Sequence, residues 1–204
     1  MTIELLEVDC MDYMATQADK AFDLAIVDPP YMKDKKNLNM GTMNGKHRES
    51  NYKYWEPPTQ EYIAELFRVS KEQIIWGFNY FLELLPNTTA CIFWNKHQHG
   101  YFSEGELAWC SSGKTRCFDR SFTRDSKIYK IHPTQKPIAL YTWCLTHYAQ
   151  PRQRILDTHL GSGSSAIAAH YHGVAFVGCE LDPHYYRLAV QRVNDLTRQI
   201  RLAI

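Results

Sequence analysis

The 204-residue chain has no apolar run long enough to cross a bilayer, no Cys-x-x-Cys pair and a net charge of only +1. Without such a run, no membrane-spanning helix is expected. A charge so near zero excludes a wholly basic nucleic-acid binder, so any basic patch must be local. The six cysteines are scattered, which reads as free thiols in a reducing cytoplasm. The first residues, Met1-Thr-Ile-Glu-Leu-Leu6, lack the basic flank and apolar centre of a signal peptide. Histidine is plentiful, but His97-x-His99 and His170-x-His172 have no suitably spaced cysteine or carboxylate partners, so no metal is expected. Residues 32–55 lack periodicity altogether.

What is present fits a folded globule, with 45% hydrophobic and 13% aromatic residues. A chain of this length makes one domain, residues 1–204. Apolar runs of strand length recur: 3–8, 22–27, 73–76, 91–94, 154–157 and 175–179. Each ends in a polar residue or a glycine. Between them lie helical patterns, at Met11–Gln17, Thr59–Ser70, Phe81–Leu85, Ile138–Tyr148, Ala166–His170 and Tyr185–Leu202. Glu104–Trp109 reads as either a strand or a helix turn. Pro137 suits the first turn of the helix that follows it. This alternation predicts an α/β fold, a twisted, mostly parallel sheet with helices on both faces.

The strand Phe22–Val27 runs into Asp28-Pro-Pro-Tyr31. Two prolines end both helix and ladder there. A carboxylate, a rigid turn and an aromatic ring are left at the carboxyl end of a strand, where open α/β sheets bind ligands. Asp28 and the Pro29 carbonyl accept hydrogen bonds, and Tyr31 offers a flat face. That set suits a flat ring with an exocyclic amino group, although a turn with an Asp cap also explains the tetrapeptide. Asp9, after the first strand, stands equally as a helix N-cap or a ligand contact.

Later, strand 154–157 leads to Gly161-Ser-Gly163 and then a helix, an order in which glycine lets the backbone approach a ligand closely. A third glycine is absent, so the dinucleotide fingerprint is incomplete, and a dehydrogenase would rest on Gly-x-Gly alone. Glu180 ends the next strand and can hold two ribose hydroxyls. A nucleoside with a small charged tail therefore fits better than a dinucleotide. Two basic stretches remain. The 32–55 loop carries Lys33, Lys35, Lys36, Lys46 and Arg48, and is expected to stay mobile until substrate binds. Residues 110–131 carry Arg116, Arg120 and Arg124 interleaved with Phe118, Phe122 and Tyr129, which makes a nucleic-acid face or an ordinary exposed hairpin.

Taken in order, Asp28-Pro-Pro-Tyr31, His132-Pro-Thr-Gln-Lys-Pro137, Leu156-Asp-Thr-His-Leu-Gly-Ser-Gly-Ser164 and Glu180 resemble the S-adenosylmethionine-dependent DNA amino-methyltransferases. The likeness is to the beta group in its small phage or prophage form, over nearly the whole chain. The resemblance implies a Rossmann-like class I methyltransferase fold with circularly permuted motifs, the catalytic half preceding the cofactor half. It implies a site-specific enzyme that moves a methyl group from S-adenosylmethionine to N6 of a flipped-out adenine in double-stranded DNA, as in restriction-modification. It assigns Asp28, Pro29, Pro30 and Tyr31 to the base pocket, with Asp28 also bordering the cofactor. Asp9 and Cys10 fall to the cofactor's adenine, and Thr134 and Lys136 to its methionine carboxylate. Asp157, Gly161 and Gly163 fall to the methionine part, Ser162 and Ser164 to its carboxylate, and Glu180 to the ribose. His159 and Leu160 stand where the family commonly has an aromatic. The 110–131 stretch becomes a short target-recognition insert, and a homodimer is common in the group. N4-cytosine methylation usually goes with Ser in place of the first Asp, so Asp28 favours adenine. A non-catalytic DNA- or cofactor-binding protein on the same fold is the rival from another class.

Overall fold

A computed structural model describes residues 2–31, 42–43, 46–47, 56–98, 103–121 and 130–198. At its centre is β2 (Phe22–Val27), whose β-branched and apolar residues are nearly all buried. Beside it lie β9 (Arg154–Asp157) and β5 (Ser70–Trp76), both parallel to it. Outward from β9 come β10 (Ala175–Glu180) and β1 (Ile3–Glu7), also parallel. Outward from β5 comes β7 (Gly105–Cys110), which runs antiparallel to both neighbours, then β6 (Ala90–Asn95) and β8 (Arg116–Asp119). The order β1-β10-β9-β2-β5-β7-β6-β8 makes one eight-stranded, mostly parallel sheet. The catalytic-corner strand thus precedes the glycine-loop strand in sequence yet pairs with it in space.

Period-two alternation divides β2 between two cores. Leu24 and Ile26 face Leu140, Cys144, Ile167 and Val193, which come from α3 (Ile138–Tyr148), α4 (Ser164–His172) and α5 (Pro183–Thr197). Ala25 and Val27 face Met14, Tyr62 and Leu66, which come from α1 (Cys10–Ala15) and α2 (Gln60–Val69), and Phe22, at the strand's first position, joins that second core out of phase. Helices therefore cover both faces, and truncating Leu24 or Ile26 to Ala would cost about 2–5 kcal/mol. Local signals fix the helix starts. The Thr59 hydroxyl accepts from the Tyr62 amide at 3.2 Å to cap α2. Asp182 accepts from the His184 amide at 2.7 Å to cap α5, with Pro183 in its first turn.

Several expectations need correcting. The predicted helix 81–85 is a pair of 3₁₀ turns, Phe78–Tyr80 and Leu82–Leu84. Phe81, which separates the two turns, has φ −148° and ψ 42°, outside the helical region, so no α-helix runs through the segment. Pro137 caps α3 rather than entering its first turn, because its ψ of 143° is extended. Glu104–Trp109 resolves as strand β7. Arg116–Asp119 is strand β8, which joins β6 in parallel. Within the 32–55 loop, β3 (Thr42–Met43) and β4 (Lys46–His47) pair antiparallel. The expected mobility of that loop, and residues 122–129 of the insert, lie outside the described residues.

Candidate active site

The parallel strands end at one rim. Asp9 follows β1, Asp28 follows β2, Gly77 follows β5, Thr158 follows β9, and Glu180 ends β10. Because β7 runs the other way, it brings its beginning, Gly105–Glu106, to the same rim. A cleft of about 350 Å³ opens there, lined by Asp9, Cys10, Asp28, Tyr31, Thr134, Lys136, His159, Gly161, Ser162 and Glu180 among others. The volume is in the range of small-molecule sites.

At one end sits Asp28. The Lys136 ammonium meets its Oδ2 at 2.5 Å and Glu106 Oε2 at 3.0 Å. Glu106 pairs in turn with Lys96. The Lys136 ammonium also stands 5.6 Å from the Trp76 ring centroid. Asp28 Oδ1 is buried with no hydrogen-bond partner among the described residues. Burial raises the proton affinity of Asp28, Lys136 opposes this, and the Glu106 charge adds to it. Burial works the same way on Glu106, but Lys136 and Lys96 outweigh it and hold that carboxyl at about 2.

Pro29 and Pro30 hold the turn, and Tyr31 stacks on Tyr80 with ring centroids 4.6 Å apart and planes 9° from parallel. Gly77 makes room for this. Its φ is 73°, and a Cβ there would lie 2.3 Å from two Tyr31 ring atoms.

At the other end the backbone does the holding. Glu180 accepts from the Gly161 amide at 2.8 Å and from the Asp182 amide at 3.0 Å. Ser162 and Ser164 hydroxyls are 3.2 Å apart, and Arg192 of α5 donates to the Ser162 carbonyl at 2.6 Å and to Ser164 Oγ at 3.1 Å. Asp157 and Gly163, expected as cofactor contacts, are set one layer behind the cleft. Asp157 accepts from the His159 amide at 3.0 Å and the Ser165 hydroxyl at 2.5 Å, and burial pushes its carboxyl up to about 7. A Cβ on Gly163, φ 73°, would come within 2.7 Å of Val193. Both shape the loop from beneath.

Burial pushes the His159 ring down to about 4, so it is neutral at pH 7. Its Nδ1 lies 2.9 Å from the Thr158 hydroxyl, which meets the Tyr62 hydroxyl at 2.6 Å. Asp9 caps α1, accepting from the Met11 amide at 2.7 Å, and also lines the cleft. Burial pushes the Cys10 thiol up to about 12, so it is no nucleophile. Lys136 was expected at a cofactor carboxylate, and its ammonium sits instead between Asp28 and Glu106.

Of the basic residues, Lys33, Lys35, Lys36, Arg48 and Arg124 lie outside the described residues, as does the Lys46 side chain. Arg116 lies on β8, and Arg120 follows it and borders a second cavity of about 610 Å³ with Lys130, Trp143 and Arg192. Sequence reasoning missed Glu106, Lys96, Tyr62, Tyr80 and Arg192. Glu106 had a signal: it falls in period-two phase with buried Ala108 and Cys110, an odd place for an acid. Among the described residues there is no group of three His, Cys, Asp or Glu able to hold a metal, and no helix is long and apolar enough to cross a membrane.

Residues 93–191 match the family described as DNA methylase, N6_N4_Mtase. YubD of Escherichia coli K12, assigned as a methylase, is 24% identical over 96% of this chain and 92% of its own length. TTHA0409 of Thermus thermophilus, assigned as a DNA modification methylase and solved with S-adenosylmethionine, superposes with a TM-score of 0.65 at 18% identity, covering 98% of each chain. The cytosine-N4-specific PvuII DNA methyltransferase superposes with a TM-score of 0.61 at 10% identity, covering 96% of this chain and 91% of its own. The chain therefore shares the fold of these solved methylases, and just under half of it, residues 93–191, is similar to the N6_N4_Mtase family of DNA methylases.

Proposed function

We propose that this chain is a DNA methyltransferase that transfers a methyl group from S-adenosylmethionine to N6 of a flipped-out adenine. The observation that carries this reading is Asp28, a half-buried carboxylate with one oxygen anchored and the other without a partner among the described residues, across the cleft from a glycine loop.

The loop end suits the cofactor. Gly161, with φ 54°, keeps the backbone open, and Glu180 offers carboxylate lone pairs to ribose hydroxyls. Asp9 and Cys10 border the adenine side, and Thr134, Ser162 and Ser164 the methionine carboxylate. His159 is neutral and does not repel a cation. When bound, S-adenosylmethionine supplies a methyl group activated by its sulfonium.

The residues of the Asp28 end do the rest. An exocyclic amine has a lone pair delocalised into its ring and is a poor nucleophile. Hydrogen bonds from that amine to Asp28 Oδ1 and the Pro29 carbonyl favour a pyramidal nitrogen with its lone pair free. Asp28 acts as acceptor and orienter, and placement supplies much of the rate. No cysteine is needed, since no covalent enzyme intermediate forms. A base inside a duplex cannot reach this corner, so it is flipped out onto the Tyr31–Tyr80 stack.

Adenine is favoured because Asp28 stands where N4-cytosine enzymes usually carry Ser. N4-cytosine is the second reading, supported by the cytosine-N4-specific structural relative. The test is nucleoside mass spectrometry after incubation with unmethylated DNA and labelled S-adenosylmethionine. Labelled N6-methyladenine is expected. Labelled N4-methylcytosine would overturn the base assignment, and no labelled nucleoside despite cofactor binding would favour a binding protein.

A further inference from the structure

A buried ammonium shared between two carboxylates is costly to assemble, so its presence beside Asp28 calls for a reason. Lys136 is 4% exposed at its side chain and touches Asp28 by one oxygen only. Its second partner, Glu106, comes from the beginning of β7, which runs against both of its neighbours in the eight-stranded sheet. Lys96, from the end of β6, pairs with Glu106. Two cations and two anions therefore alternate, Lys96-Glu106-Lys136-Asp28, and leave no net charge in the row.

We infer that Lys136, braced by Glu106, is a positioning residue that holds Asp28 by Oδ2 and leaves Oδ1 to the substrate amine. The inference rests on the reading of Asp28 as the amine acceptor. Without Lys136 the carboxylate could turn either oxygen inward, and burial would favour its protonated form, which accepts poorly. Without Glu106 the ammonium would lose the partner that fixes its far side, and Lys96 would lose its acid. The Trp76 ring adds a third restraint on Lys136. The arrangement separates the duties of the two neighbouring lysines: Lys136 touches Asp28, while Lys96 balances Glu106.

The groups that face Asp28 set the expected directions. They are Lys136 ahead of α3, Glu106 on β7, Lys96 after β6, Tyr31 on its own turn, Tyr141 on α3 and Asp157 at the end of β9. Removing Lys136 takes away the closest cation and should raise the Asp28 midpoint. Removing the Glu106 charge should lower it. A role in packing alone would lower activity at every pH and move neither midpoint.

The experiment is a carbon-13 NMR titration of the Asp28 carboxyl in the cofactor-free chain, its signal identified with Asp28→Asn. Lys136→Met should raise the midpoint by about one pH unit or more, and Glu106→Gln should lower it by less. The acid limb of single-turnover methyl transfer should move the same way in each variant. Calorimetric affinity for S-adenosylmethionine should stay within about twofold, far below the effect of a direct charge contact. If Lys136→Met does not fold, Glu106→Gln and the charge-balanced pair Lys136→Met with Glu106→Gln carry the test, the pair giving an intermediate midpoint. An Asp28 midpoint unmoved in every folded variant overturns the inference. So does a tenfold loss of cofactor affinity in Lys136→Met with Asp28 unmoved, which would return the ammonium to the cofactor. If the midpoints move as expected and the wild-type chain methylates no DNA, the positioning role stands and the base-acceptor reading falls.

Discussion

Asp28 and Glu180 are both carboxylates at strand ends on one rim, yet they are held in opposite ways. Glu180 takes two backbone amides, those of Gly161 and Asp182, so its place follows from the course of the chain. Asp28 is held by a side chain, Lys136, which is held by another, Glu106. The amides that hold Glu180 come with every residue type but proline, so this support depends on the loop's backbone, with Gly161 and Gly163 at positive φ, rather than on particular side chains. The Asp28 end depends on particular side chains drawn from three separate parts of the sequence. On the proposed reading, a cofactor shared by many enzymes needs only the first kind of support, while the acceptor for one reacting amine needs the second.

The sharpest way to break this contrast is Asp28→Ala. It should cut methyl transfer by about 100-fold or more with cofactor affinity intact, since aligned acceptors matter by orders of magnitude. Turnover above about a tenth of normal would show that the two ends are not separate in function. Glu180→Ala should do the converse, weakening S-adenosylmethionine by about tenfold through the loss of charge-assisted bonds to the ribose. Calorimetry that finds unchanged affinity would remove Glu180 from the cofactor end. Tyr31→Ala tests the base side alone: 2-aminopurine fluorescence at the target position should drop several-fold more than cofactor affinity does. Equal losses would make Tyr31 a structural residue.

The last expected effect concerns stability. The folded Asp157 carboxyl titrates at about 7, above its ordinary 3.8. The folded state therefore holds a proton more tightly than the unfolded chain. Its contribution to stability is fully present below about pH 4 and is lost as pH rises through about 7. Asp157→Asn should flatten that part of the stability curve by a few kcal/mol, at about 1.4 kcal/mol per unit. Denaturant melts between pH 4 and 8 decide this, and a variant curve parallel to the wild type would mean that Asp157 ionises freely beneath the loop.

The same contrast explains what the sequence made legible. Asp28-Pro-Pro-Tyr31, Gly161-Ser-Gly163 and Glu180 each announce themselves locally, because a strand end, a turn and a ligand-facing group fall within a few residues. The parallel sheet and its two helical layers follow from alternating apolar runs. The row Lys96-Glu106-Lys136-Asp28 has no local signature, since its pairings cross the sheet. It also required the direction of β7, and periodicity says where a strand is and not which way it points. Tyr80 lies just before the segment 81–85 that reads as a short helix, and the 3₁₀ turn Phe78–Tyr80 carries its ring onto Tyr31. Asp157 and Gly163 were placed correctly in the loop but one layer too far forward.

The buried row of charges also sets how the molecule responds to ionic strength. Mobile ions screen exposed charges over about 8–10 Å at 0.1–0.15 M salt, but they barely reach ion pairs buried at a strand end. Binding to a phosphate backbone falls steeply with salt because condensed counterions are released. Raising the salt should therefore weaken capture of DNA by the proposed enzyme while leaving the rate of transfer at saturating DNA nearly constant. Salt then acts as a valve on access to the site, and the chemistry behind it keeps its own time.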